Sequence, residues 1–382
     1  MKKIVYIAGT NKLSFLFQAL LDPQKTEFGG YVTFDPSEKE QFVWGGYPLI
    51  PIEQFENLKS DYLIVCNEED FDRIDRNDVG KVTPRFSLSV VGMYLGEEYY
   101  IYRKKAIQDL NNGNTCGVIT GMSYTQRGIN AEQMSKKWCL SAYPSQDLYY
   151  DFFALADAIK RSGDRIKYAV MGLAPYSFRY DLSLSKGVQE KVYFYYREFG
   201  EFHNAVPIQE DLELMIRYDK ILDDLCYPNW RDVYFDFITE HPFKRSEHVF
   251  DFQGLDEKQQ QKSLEEMKKI SNKPYSETIA ENKMVFDMYL KLCKKHNIKV
   301  TVLLPPCSGF FREHFPQDYV DETRSIIQEY SGKYDIEILD LYDSPEFAED
   351  KYYMDEAHMN KWGAEKLTKV LDEFLINRVY DR

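Results

Sequence analysis

A serine, a histidine and an aspartate stand where they could act together as a nucleophile, a base and an orienting acid. Ser123 follows a short apolar run in "GVITGMSYTQRG", and Asp355 precedes His358 by three residues in "YYMDEAHMNKWGAEKL". A serine hydroxyl is a weak nucleophile and needs a base that a carboxylate orients. The D-x-x-H spacing in a loop allows Asp355 to hold one imidazole nitrogen while the other faces the serine. We therefore predict Ser123, His358 and Asp355 as a catalytic triad for acyl transfer.

Other patterns for catalysis are not fulfilled. The nucleophile-elbow motif G-x-S-x-G fails because Thr125 stands where its second glycine belongs. No two histidines have the H-x-x-H or H-x-x-x-H spacing, and the cysteines are scattered without a C-x-x-C pair. We expect neither a metal nor a cofactor.

Composition restricts the class of partner and the compartment. The formal net charge is −14, which disfavours a nucleic-acid partner. No apolar run approaches the roughly 20 residues that span a bilayer, and the short apolar run after Met1 lacks the features of a secretory signal. Together with the scattered cysteines, these features predict a cytoplasmic protein without a membrane span.

The elements that must position the triad alternate between strand and helix, which predicts an α/β fold with parallel sheets. Apolar runs of strand length form two groups along the chain, and they occupy Lys2–Gly9, Tyr31–Asp35, Ser60–Cys66, Thr115–Gly121, a run ending near Ala142, a run ending near Gly172, Ile298–Pro306 and Ile336–Ser344. The first group predicts a small Rossmann-like N-terminal domain, residues 1–105. The second predicts a larger three-layer α/β/α domain, residues 106–382, with a helical insertion at about 190–297.

The N-terminal part carries only weak evidence of a ligand. An acid, Asp35, ends the second strand where Rossmann folds hold a ribose, but the preceding loop has only Gly9 and lacks G-x-G-x-x-G. The segment "GGYPLIPIEQFENL" (Gly45–Leu58) resembles the N-terminal domain of bacterial sugar-modifying transferases. A docking or dimerisation domain without a ligand is an equal alternative, and a sugar nucleotide or an acyl donor is a further candidate partner.

The larger domain resembles the SGNH, or GDSL-type, hydrolase family. The resemblance rests on Gly121-Met122-Ser123-Tyr124 and on Asp355-Glu356-Ala357-His358, followed by an H-x-N-x-x-G pattern in "HMNKWGAEKL". Because Met122 replaces the usual Asp, the chain is similar to the branch that modifies cell-wall polymers and exopolysaccharides, including D-alanyl-transfer and alginate O-acetylation proteins. The resemblance implies an SGNH-like sheet and an acyl-enzyme on Ser123.

The family's oxyanion asparagine is missing, because the third block is Gly172-Leu173-Ala174. We expect replacement donors from the backbone N–H of Ser123 and from the segment "YPSQD". The predicted oxyanion and substrate-binding residues are Ser145, Gln146, Gly172, Ser177 and Arg179.

These observations predict a serine esterase or O-acyltransferase whose substrate is an acylated glycan, a glycan precursor or a small ester. A second hypothesis is a non-catalytic protein that keeps the fold and binds or assembles glycan precursors. The replaced Asp and the missing Asn favour that alternative. Read singly, Ser123 could be an ordinary strand-end hydroxyl and the D-x-x-H segment a helix cap.

Overall fold

The computed structural model describes residues 1–34, 44–55, 57–65, 85–87, 97–185, 191–200, 202–204, 219–238, 245–272 and 276–380. Strands and helices alternate along these residues, and the strands form two parallel sheets. The predicted α/β fold class is therefore confirmed.

The strands are β1 Lys3–Ala8, β2 Thr26–Thr33, β3 Leu49–Pro51, β4 Tyr62–Val65, β5 Arg85–Ser87, β6 Gly117–Gly121, β7 Trp138–Ala142, β8 Tyr168–Gly172, β9 Lys299–Leu304 and β10 Ile336–Asp340. The helices are α1 Lys12–Leu20, α2 Ile52–Phe55, α3 Glu97–Asn111, α4 Ser123–Gly128, α5 Leu148–Ser162, α6 Val192–Phe199, α7 Trp230–Ile238, α8 Glu257–Ser271, α9 Thr278–Lys295, α10 Gly309–His314, α11 Gln317–Ser331 and α12 Lys361–Leu375.

Contacts between Cα atoms divide the chain into two compact units. The first comprises Met1–Glu97 and Ile208–Pro242, and the second comprises Glu98–Pro207 and Phe243–Arg382. The predicted domains, 1–105 and 106–382, stay a prediction. The helix α9 falls within the predicted helical insertion, and in the structure it packs on α5 and leads directly into β9.

The first unit is built on a parallel sheet with the strand order β3-β2-β1-β4-β5. Strands β1 and β4 at its centre are largely apolar and buried, as expected for a parallel sheet covered on its faces. The core collects Tyr6, Val32, Phe55, Leu63 and Val65. Asp35 and Cys66, which end two predicted strands, lie outside the described residues.

The second unit is built on a parallel sheet with the order β10-β9-β8-β6-β7. Strands β6, β8 and β9 are almost completely buried at its centre. Because parallel strands all end at the same edge, the loops after β6, β7 and β8 meet there. Those loops carry most of the predicted site residues.

The helix after β7 begins at Leu148. Asp147 caps it, because its side chain accepts a hydrogen bond from the N–H of Tyr150. Residues 143–147 therefore form a loop between β7 and α5, and this loop borders the site.

Candidate active site

The structure brings the three predicted triad residues together. Ser123 Oγ lies 2.8 Å from Nε2 of His358, and Nδ1 of His358 lies 3.0 Å from both carboxylate oxygens of Asp355. The serine and histidine are 235 residues apart in the chain. Only the fold of the second unit places them within hydrogen-bond reach.

The turn that carries Ser123 depends on a glycine at the end of β6. Gly121 has a φ of +139°, where a side chain would be strained. A Cβ at Gly121 would also lie 2.6 Å from the carbonyl oxygen of Gly172 on the neighbouring strand. Met122 follows in an extended conformation, and Ser123 begins α4.

Gly172 makes room for Thr125 of α4, which lies over the ends of β6 and β8. A Cβ at Gly172 would overlap the side chain of Thr125. Gly172 was predicted as an oxyanion or substrate-binding residue, and the structure places it beneath the helix that begins with Ser123. At that position Gly172 allows α4 to approach the sheet closely.

Local hydrogen bonds hold Asp355 and His358 in their loop. The Oδ1 atom of Asp355 accepts from the backbone N–H groups of Ala357, at 2.9 Å, and His358, at 2.7 Å. Burial would raise the pKa of Asp355, but His358 and these two N–H donors outweigh it and lower the pKa. Asp355 is therefore ionised at neutral pH and can orient the imidazole.

Two further residues explain the H-x-N-x-x-G pattern. The Asn360 amide donates to the carbonyl oxygens of His248, Lys351 and Tyr353, and its oxygen caps α12 by accepting from Gly363 N–H. A Cβ at Gly363 would collide with the backbone of Tyr352. The pattern thus fixes the loop that carries His358 against the start of α12.

The imidazole of His358 also rests against an aromatic ring. Tyr124 stacks on it with ring centroids 5.3 Å apart and an interplanar angle of 29°. Tyr124 is buried, and its hydroxyl is hydrogen-bonded to that of Tyr176. The residue directly after the serine therefore limits the orientations open to the histidine, a role that the sequence did not predict.

Tyrosine hydroxyls anchor the loop between β7 and α5. Tyr99 and Tyr195 donate to the carbonyl oxygen of Pro144, at 2.6 and 2.9 Å, and Tyr180 donates to that of Ser145, at 3.2 Å. Ser145 has a φ of +59°, unusual for a residue other than glycine. Among the described residues its backbone N–H has no hydrogen-bond partner.

Gln146 directs its side chain into the protein interior. Its amide nitrogen donates to the carbonyl oxygen of Ser141, at 3.1 Å, and to Asp151, at 2.5 Å. The side chain was predicted to supply an oxyanion donor, but the structure engages that donor elsewhere. Gln146 is 1% exposed, so the amide is committed to these interior partners.

Ser177 and Arg179 also have partners within the protein. The hydroxyl of Ser177 accepts from the N–H of Ala174 at 2.9 Å and is buried. Arg179 pairs with Glu322 at 2.7 Å and lies over the ring of Tyr319. The structure does not bring either side chain to the triad.

A buried cluster of charged side chains lies near the same loop and was not predicted from the sequence. The Nδ1 atom of His203 lies 2.8 Å from Asp147 and 3.4 Å from Asp181, and its Nε2 lies 3.8 Å from Glu281. Although burial lowers the pKa of His203, these carboxylates outweigh it and raise the pKa to about 9. The large sequence separations left no spacing pattern from which to predict this cluster.

The donor atoms of Asp147, Asp181 and His203 lie within 4.8 Å of one another, so these side chains could also ligate a metal ion. Each aspartate already accepts a backbone hydrogen bond, from Leu182 or Ser183. An imidazolium at His203 donates from Nδ1 to Asp147 at 2.8 Å and agrees with the raised pKa.

The far end of α4 is capped by an arginine that the sequence did not indicate. Arg245 donates to the carbonyl oxygens of Arg127 and Ile129, each at 2.5 Å. These carbonyls lie where α4 ends, which is the negative end of a helix dipole. Arg245 therefore secures the helix that carries Ser123.

Part of the chain matches the model of a known protein family. Residues 246–376 match the family model of the DltD protein, a family associated with D-alanine transfer in the biosynthesis of teichoic acid. The match includes Asp355 and His358 but not Ser123.

No curated protein matches the chain. A solved structure from Streptococcus pneumonia, provisionally described as a platelet activating factor, is similar over 75% of this chain and 97% of its own, with 10% identity and a TM-score of 0.35.

The family match corrects the predicted location. Proteins of the DltD family are anchored in the membrane and face outward, where they act on extracellular teichoic acid. The cytoplasmic location predicted from the cysteines and the missing signal features is therefore wrong. Among the described residues, no helix has both the length and the apolar character needed to cross a membrane.

Proposed function

We propose that this protein is a serine esterase or O-acyltransferase that acts on a cell-surface glycan. The observation that carries the proposal is the unbroken hydrogen-bonded series from Ser123 Oγ to His358 Nε2, at 2.8 Å, and from His358 Nδ1 to Asp355, at 3.0 Å. This is the order of groups that serine acyl transfer requires.

In this mechanism the Ser123 oxygen attacks the carbonyl carbon of an ester, and its proton passes to Nε2 of His358. The negatively charged tetrahedral intermediate then collapses, and His358 returns the proton to the departing alcohol. Asp355 keeps Nδ1 as the donor and stabilises the imidazolium. Water, or a hydroxyl of an acceptor glycan, then attacks the acyl-enzyme with His358 as base and regenerates Ser123.

The oxyanion must be stabilised by donors other than the asparagine of the SGNH family. The backbone N–H of Ser123 and that of Ser145 are our candidates, because neither has a partner among the described residues. The tyrosine contacts to residues 144 and 145 would hold the second donor in place before substrate arrives. Such preorganisation is what makes an oxyanion site effective.

The family match supports the proposed substrate class. An outward-facing family associated with D-alanine transfer in the biosynthesis of teichoic acid supports an acylated cell-surface polymer as acyl donor or acceptor. Hydrolysis and transfer use the same triad and differ in whether water or a sugar hydroxyl takes the acyl group.

Hydrolysis of p-nitrophenyl acetate tests the proposal with Ser123→Ala and His358→Ala. Ser331→Ala is a matched control, since within the described ranges its hydroxyl bonds only to the carbonyl oxygen of Gln328 in its own helix. Both triad variants should lose the activity while the control keeps it. Activity that persists in Ser123→Ala would refute the assigned nucleophile.

A further inference from the structure

A buried carboxyl group lies beneath the strand end that leads to Ser123. Asp151, on α5, is 3% exposed, and within the described part of the chain no Lys or Arg pairs with it. A carboxyl group removed from water without a cation is costly unless hydrogen-bond donors surround it. The hydrogen-bond donors that surround Asp151 therefore indicate its role.

The donors around Asp151 come from two segments that border the active site. The amide nitrogen of Gln146 donates to its Oδ1 at 2.5 Å, and the backbone N–H of Gly121 and the hydroxyl of Thr120 lie near enough to lower the pKa of the carboxyl as donors. Burial raises the pKa of Asp151 well above its usual range, although these hydrogen bonds oppose the shift. A neutral carboxyl still offers an acceptor oxygen to Gly121.

Gly121 is the residue at which the chain turns towards Ser123. Its φ of +139° is a strained value for other residues, and its carbonyl oxygen accepts from the N–H of Tyr143 at 3.2 Å. Thr120, one residue earlier, is also held by the hydroxyl of Tyr289 at 3.2 Å. Asp151 therefore links the turn before the serine to the 143–147 loop through Gln146.

We propose that Asp151 is a positioning residue, which holds the Thr120–Gly121 end of β6 and so aims the hydroxyl of Ser123 at His358. The inference rests on the proposed function of Ser123. It also explains why the Gln146 amide turns inward, since that amide supports Asp151 from the side of the loop and does not meet the substrate. Asp151 itself touches neither Ser123 nor the reacting atoms.

The test compares rates of Ser123 labelling by a fluorophosphonate probe, which report how well the nucleophile is placed. Asp151→Leu keeps the branched shape of the side chain and removes the acceptors, whereas Asp151→Asn keeps one acceptor oxygen for Gly121. Because displacing a nucleophile by a fraction of an ångström is costly, labelling of folded Asp151→Leu should slow by about tenfold or more. Asp151→Asn should stay within about threefold of the unmodified protein.

The pH at which labelling reaches half its maximum should be the same in all variants, because Asp151 does not accept the serine proton. Ser162→Ala is the matched control: it removes a buried hydroxyl from the same helix, bonded to Leu110, and should label at the normal rate. If Asp151→Leu does not fold, Gln146→Met replaces it. Gln146→Met should slow labelling by about threefold or more.

Two results would overturn the inference. One is a folded Asp151→Leu, or Gln146→Met, that labels at the normal rate. The other is an Asp151→Asn protein that labels as slowly as folded Asp151→Leu. A failure of the proposed function is a separate outcome, since the unmodified protein would then carry no label on Ser123.

Discussion

Replacing Asp355 by asparagine removes the negative charge beside His358 and preserves much of the loop's geometry. The Oδ1 atom of Asp355 accepts both backbone hydrogen bonds of the loop, and it also lies 3.0 Å from Nδ1 of His358. An asparagine oxygen at that position can make the same three contacts, although its amide nitrogen then replaces Oδ2, which also lies 3.0 Å from Nδ1. Because the oxygen still accepts from Nδ1, we expect the imidazole tautomer to be retained and the loss to measure mainly the charge.

The magnitude follows from the geometry and the exposure of the pair. Two unit charges about 4 Å apart attract by about 4 kcal/mol at an effective dielectric constant of about 20. The two side chains are 28% and 35% exposed, so solvent screens part of this attraction. We expect about 3 kcal/mol to be lost from the transition state, which is a rate decrease of about 100-fold. That is smaller than the loss of about 10⁴-fold expected when the wrong tautomer is forced.

The assay is the second-order rate of labelling by a fluorophosphonate probe at neutral pH. Asp343→Asn is the control, because Asp343 is an exposed acid that pairs with Arg324 at 3.1 Å. The control should label at the rate of the unmodified protein. An Asp355→Asn protein that labels within about threefold of that rate would refute the assigned role, because loss of an effective orienting charge should slow labelling by more than that.

Three other changes test the surroundings of the triad. Gly172→Ala should lower the free energy of unfolding by about 1–3 kcal/mol, because the new methyl group overlaps Thr125, and Thr125→Ala should recover part of that loss in urea denaturation. His203 has its pKa raised to about 9, so its contribution to stability should be complete below about pH 6.5 and be lost as the pH rises through about 9. Urea denaturation at pH 6 and pH 10 should show this loss of stability in the unmodified protein and not in His203→Gln. An equal loss in the two proteins would contradict the assigned contribution of His203. Arg179→Gln and Glu322→Gln should each lower stability by less than about 1 kcal/mol and leave Ser123 labelling unchanged, whereas a rise in KM confined to Arg179→Gln would assign it to the substrate.

Much of the second unit could be predicted because its strands are short, apolar and bounded by turns. Such runs predict buried parallel strands, and β6, β8 and β9 were found where the pattern placed them. Ser123, Asp355 and His358 could be grouped because parallel strands end at one edge. Their catalytic role stays a prediction.

The surroundings of the triad could not be predicted, because they depend on where side chains point. Gln146 was predicted to face the substrate, yet its amide turns inward because Asp151 lies buried beneath it. In the cluster around His203, Asp181 lies 22 positions and Glu281 lies 78 positions away in the chain, so no local spacing reveals it. The location was misjudged for another reason: composition alone does not say on which side of a membrane a protein acts.

The central claim is that Ser123 is a nucleophile activated by His358. Mass-spectrometric mapping of the fluorophosphonate adduct tests it most directly. We predict one covalent adduct on the peptide that contains Ser123, absent from Ser123→Ala and formed much more slowly in His358→Ala. A folded protein that forms no adduct, or an adduct on another residue that persists in Ser123→Ala, would contradict the claim.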